Sequence, residues 1–195
     1  LFNYLKKKIK QEKHDKNLWE YTWSSVATAK KKRYKKFIPI PCAEALIKNI
    51  ITYLDKDIHI KVNHVNSGGA SYKLLYAGKN NSIKIDWINI PMTNRFKERK
   101  YYYKTYLHEL SHCIMERLEI SQRIDLIDDE ESVAEFSSMI MCILLGIDIW
   151  DESYRYLSDY MTNTEGYMIL DGRLSYILKY TIAVVECILK MHRSF

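Results

Sequence analysis

The sequence is poor in residues that punctuate or staple a chain: its 195 residues include 3 prolines, 6 glycines and 4 cysteines. So few turn formers exclude a collagen-like or Pro/Gly-rich low-complexity chain. Cys42, Cys113, Cys142 and Cys187 form no CxxC pair, so a zinc site built from cysteines is not expected. Four thiols would allow two disulfides, but a domain of this size does not need them. They read as free thiols of a reducing, cytoplasmic compartment. Long hydrophobic runs are also lacking. The longest, around residues 139–146 and 182–185, fall far short of the roughly 20 residues that span a bilayer, so no membrane partner is expected. No segment has the layout of a secretory signal peptide, and the start at Leu1 suggests a piece of a longer protein. At 47% hydrophobic and 28% charged, the chain has the composition of one soluble globular domain, not of a disordered segment. Oligomeric state is not readable from these features.

The net charge of +6 is unevenly placed. Residues 1–36 hold 12 Lys/Arg against three acids, Glu12, Asp15 and Glu20, whereas the remainder is slightly acidic. This arm interleaves lysine clusters, including Lys6, Lys7, Lys8, Lys31, Lys32 and Arg33, with Trp19 and Trp23. Cations can neutralise phosphates while indoles stack on bases, which would make the arm a DNA contact. The same pattern also suits a solvated helical extension whose aromatics pack on the body. The expected organisation is therefore a basic arm, 1–36, followed by one domain, 37–195.

Within that domain, Pro39 and Pro41 precede a helical pattern over residues 43–53. Alternation at Ile58, Ile60 and Val62, a segment at 71–76, and alternation at Ile83, Ile85 and Trp87 predict three strands. Helical patterns follow over 99–118, 129–145, 153–161 and 172–191, with Gly146 as a terminator. The order predicts an α+β domain with a small antiparallel sheet packed on a mostly helical body.

His108-Glu109-Leu110-Ser111-His112 places two histidines four apart, on one helix face, where both imidazoles can reach one ion. Glu109 is then close enough to contact the metal's water without ligating. Bound zinc lowers the pKa of its water towards about 7, and a neighbouring carboxylate can take the proton. Chance can supply five such residues, but Tyr106, Leu107, Leu110, Cys113 and Ile114 imply a buried helix, and a buried histidine pair needs partners. A catalytic zinc also needs a third protein ligand. The next helix offers Glu130, Glu131 and Glu135, with small residues Ala134 and Ser138 allowing close approach. Spacing alone leaves the choice among the three acids open; Asp128, Asp129 and Glu130 also suit an acidic helix start.

The Glu131-Ser132-Val133-Ala134-Glu135 arrangement resembles gluzincin metallopeptidases, which implies Glu131 as zinc ligand and Glu135 as the acid that supports a histidine. More narrowly, residues 37–195 resemble the metallopeptidase domain of ArdC-type antirestriction proteins. The likeness rests on Cys42-Ala43-Glu44-Ala45-Leu46-Ile47, on 85–91, on Tyr101-Tyr102-Tyr103 followed by the histidine motif, on 130–135, and on Tyr156-Leu157-Ser158-Asp159-Tyr160. It departs from the family after His112, where Cys113-Ile114-Met115 stands in place of the common Trp-Thr-Gly.

The resemblance implies a zincin-like fold, Zn²⁺, and a plasmid, phage or mobile-element setting, often with a separate domain that binds single-stranded DNA. The expected activity is zinc-dependent peptide hydrolysis of a peptide or protein substrate. The alternative is an antirestriction or DNA-binding accessory protein in which the metal is structural or weakly catalytic. Tyr156 could donate to the developing oxyanion, although tyrosine is abundant here and packing is the plainer role. The strand over 83–90 is expected at a sheet edge, where it could bind substrate by strand addition.

Overall fold

A computed structural model describes residues 39–56, 59–124, 127–149 and 167–194. Pro41 occupies the start of helix α1 (Pro41–Leu54), where no intrahelical N–H is required. The apolar stripe Ala43, Leu46, Ile47, Ile50 and Leu54 is buried. Both ends of α1 are tied down by one later helix. Ile40 N–H donates to the Tyr103 hydroxyl (2.9 Å), which donates to Glu44 Oε1 (2.5 Å). Arg117 Nη1 donates to the Leu54 carbonyl (3.2 Å).

Three strands follow, β1 (His59–Val65), β2 (Ser71–Ala77) and β3 (Ile83–Pro91), in spatial order β1-β3-β2. They alternate in direction along the chain, but β3 inserts between the other two. It is therefore antiparallel to β2 and parallel to β1. The expected antiparallel arrangement holds for β2–β3 only, and the sheet is mixed. The expectation that the 83–90 strand forms an edge is also overturned: β3 is central, and among the described residues β2 and β1 are the edges. The hairpin between β2 and β3 depends on Gly78, whose φ of +82° is a backbone conformation that other residues rarely adopt. Pleating puts Asp86, Ile88 and Ile90 on the buried face and Trp87 and Asn89 on the other.

Helix α2 (Arg99–Arg117) packs on β2 and β3, α3 (Ile127–Leu144) packs on α2, and α4 (Tyr167–Arg193) packs on α1, α2 and α3. Ser132, Ala134, Ser137 and Ser138 are fully buried, so small side chains line α3 where it packs into the body. Helix α3 ends as expected at Gly146 (φ +69°), with Ile147 N–H donating to the Cys142 carbonyl (2.8 Å). The same closure ends α2 through Glu119, at φ +55° without being glycine, with Ile120 N–H donating to the Met115 carbonyl (2.8 Å). All four cysteines are free thiols. No helix among the described residues is long and apolar enough to cross a membrane. The basic arm and the helical pattern at 153–161 lie outside the described residues.

Candidate metal centre

One turn of α2 separates His108 from His112, and their Nε2 atoms converge to 3.2 Å. Glu131, from the first turns of α3, lies across both: Oε2 is 3.2 Å from His108 Nε2 and Oε1 is 3.5 Å from His112 Nε2. Ligands 2.0–2.1 Å from a tetrahedral zinc are separated by about 3.3 Å, so these spacings match the open face of such a site. The two flanking acids take different positions. Glu130 Oε1 is 3.2 Å from His112 Nδ1, and Glu135 Oε2 is 3.4 Å from His108 Nδ1. Helix α3 therefore presents one carboxylate to the converging nitrogens and one to the far nitrogen of each ring. Packing of α3 on α2 separates the three acids that spacing left open.

If each Nδ1 carries the proton donated to its carboxylate, both Nε2 lone pairs and the Glu131 oxygens meet with no hydrogen between them. Such a convergence of acceptors is stable only around a cation or extra protons. The electrostatics agree. Burial alone would lower both histidines, but the bonds to Glu131 and Glu135 raise His108, and those to Glu130 and Glu131 raise His112 to about 9. Glu131 is held well below the ordinary carboxylate range by His108 and then His112. Glu130 is lowered chiefly by its bond with His112. Glu135 is pushed up by burial, but His108 and Lys104 outweigh that and lower it. Protons and a divalent cation compete for the same lone pairs. The His108, His112 and Glu131 cluster could thus chelate a divalent metal.

Glu109 is buried on the same helix, and burial raises its carboxyl despite the opposing pull of His108 and His112. The Tyr72 backbone of β2 lies beside this carboxyl and opposes the rise. The Tyr72 ring lies parallel to that of His112 (2° between planes, centroids 6.5 Å apart), and its hydroxyl donates to Asp86 Oδ1 (2.8 Å). Asp86, fully buried, is bound by Arg117 through Nη2 (2.5 Å) and Nε (3.1 Å). A single tyrosine thereby links the edge strand to both the motif glutamate and a motif histidine.

The MPTase-PolyVal family model, described as a zincin-like metallopeptidase, matches residues 73–165, a little under half of the chain. The fold is zincin-like. A crystal structure of the antirestriction ArdC protein from plasmid R388, in its Mn(II)-bound form, is similar over 84% of this chain, with a TM-score of 0.52 and 16% identity. The chain spans 57% of the length of that protein. No curated protein sequence matches the chain.

Within the zincin-like domain, His108, Glu109, His112, Glu131 and Glu135 come together. Tyr156 and the arm residues Lys6, Lys7, Lys8, Trp19, Trp23, Lys31, Lys32 and Arg33 lie outside the described residues. The sequence leaves Glu130 open as a metal ligand or a helix-start acid, and only packing puts it at His112 Nδ1. Two further contributors are not among the residues singled out from sequence. Tyr72 has no sequence signal, because its place depends on strand order. Lys104 had one: it stands four residues before His108, on the same face of α2.

Proposed function

We propose that this chain is the metal-holding, zincin-like domain of an ArdC-like accessory protein of a mobile element, with Zn²⁺ bound by His108, His112 and Glu131. The observation that supports this is the convergence of the two Nε2 atoms and the Glu131 carboxylate at zinc-like spacings in a zincin-like fold. Two nitrogens and one oxygen suit zinc better than manganese, which binds such sites more weakly in the divalent series. The partner expected in this reading is DNA, through the basic arm. Deleting residues 1–36 should then weaken single-stranded DNA binding and reduce its salt dependence. Equal binding by the shortened chain would remove the arm from that role.

Peptide hydrolysis is the second reading, and Glu109 is the observation that favours it. When bound, zinc supplies a water acidic enough to lose a proton near neutral pH and a charge that polarises a carbonyl. Glu109, buried with a raised pKa beside the histidines, is suited to accept that proton and return it to the leaving amine. Edge strand β2, which packs on α2, is better placed than the central β3 to pair with an extended peptide. A role for Tyr156 at the oxyanion stays within this proposal.

One experiment separates the readings. The full chain should bind about one equivalent of Zn²⁺, and Glu109→Gln should keep that metal. If wild type cleaves a protein substrate, the variant should lose at least about 10²-fold in kcat. Wild type that holds zinc yet cleaves nothing leaves the accessory reading standing alone. Wild type that binds no metal removes both.

A further inference from the structure

The ammonium of Lys104 lies 2.5 Å from Glu135 Oε1, on the far side of the carboxylate from His108. Both side chains are largely withdrawn from water, Lys104 at 17% and Glu135 at 7% exposure. Among the described residues, Glu135 Oε1 has no hydrogen-bond partner, so this ion pair is what compensates the oxygen. The other oxygen, Oε2, faces His108 Nδ1 at 3.4 Å. Lys104, His108 and His112 recur every four residues on α2, and Glu131 and Glu135 repeat that step on α3. The two helices therefore form a ladder in which Lys104–Glu135 is the rung next to the metal cluster.

Lysine is seldom withdrawn from water without a partner, and an amide or an apolar residue would suffice merely to fill the space. We propose that Lys104 is a positioning residue for the metal centre: it holds Glu135 so that Oε2 fixes the His108 ring with Nε2 turned to the cation. The inference rests on the proposed metal site. Lys104 touches neither the cation nor the converging nitrogens, and its whole effect passes through Glu135. Acids that orient ligand histidines typically account for 10–100-fold in metal affinity, and Lys104 inherits a share of that factor.

The test is a double-mutant cycle on the full chain, read as Zn²⁺ affinity by competition with a chelating dye. Lys104→Met and Glu135→Gln should each weaken binding about 10-fold. In the double variant the losses should not multiply: about 10-fold again, not about 100-fold. Lys104→Arg, which retains a cation for Glu135, should restore most of the affinity. Cobalt(II) in the same site should show an altered visible spectrum in Lys104→Met and Glu135→Gln, a readout that general loss of stability does not produce in chains that remain folded by circular dichroism. Multiplying losses, or Lys104→Met with wild-type affinity and spectrum, would overturn the proposal while leaving the metal site intact. Absence of zinc binding by wild type would instead overturn the site itself.

Discussion

Glu131→Ala should weaken zinc binding on the order of 10²–10³-fold and should be the most damaging of the three acid substitutions on α3. A four-ligand zinc site is worth an apparent ~10–16 kcal/mol near neutral pH, so one protein ligand carries roughly 3 kcal/mol. Glu130→Ala and Glu135→Ala remove a carboxylate from the same neighbourhood, so the loss of negative charge is nearly constant across the set. What differs is the atom each acid faces. Glu131 lies against both Nε2 atoms, whereas Glu130 and Glu135 face Nδ1 of His112 and His108. Substituting an acid that only orients a histidine typically costs 10–100-fold. The rank order, measured as dissociation constants by dye competition, therefore reads ligation apart from charge. A Glu130→Ala or Glu135→Ala variant worse than Glu131→Ala would reassign the ligand.

That ranking was legible in the sequence only in part, for a physical reason. The spacing of His108 and His112 is set by the helix itself, so 3.6 residues per turn suffices to place two rings on one ion. Which acid faces them depends on the rotation and register of α3 against α2, a tertiary quantity that Ala134 and Ser138 permit but do not set. Three candidates one and four residues apart could not be separated until the helices were packed. The sheet shows the same limit. Alternation located β1 and β3 to within a few residues, because pleating is local, and the segment between two turns located β2. Strand order is not local, and the insertion of β3 between its neighbours moved the edge to β2 and made one pairing parallel.

The residues that escaped notice were those whose chemistry is usually bland. Lys104 stood at the right helical step, yet lysines on helices are ordinarily solvated, and only its packing against Glu135 distinguishes it. Asp86 sat in an alternating strand and would pass for an exposed acid by pattern. Its face turned out to be the buried one, because Ile88 and Ile90 share it.

Arg117→Met should for that reason destabilise the metal-free protein by about 3–5 kcal/mol, the usual cost of removing one partner from a buried ion pair. Asp86 is 1% exposed and receives two bonds from the guanidinium, so losing Arg117 leaves it neutral neighbours, the Tyr72 hydroxyl and the Cys113 thiol, in place of a cation. Arg117 Nη1 also holds the Leu54 carbonyl at the end of α1, so the substitution frees an acceptor there as well. Stabilities of single domains run to about 5–15 kcal/mol, so the single variant can approach unfolding at room temperature. The pair Arg117→Met with Asp86→Asn keeps the measurement decisive: with no stranded charge, much of the loss in urea-unfolding free energy should return. A single variant within about 1 kcal/mol of wild type would show that the pair is not the buried compensation its geometry indicates. The consequence reaches the metal centre through Tyr72. Its hydroxyl is anchored by Asp86, its ring lies along His112 and its backbone neighbours Glu109, so a loosened Asp86 should release the edge strand before it disturbs the histidines. Hydrogen exchange should accordingly quicken at the Tyr72 amide in Arg117→Met before it quickens at the amides of the histidine turn.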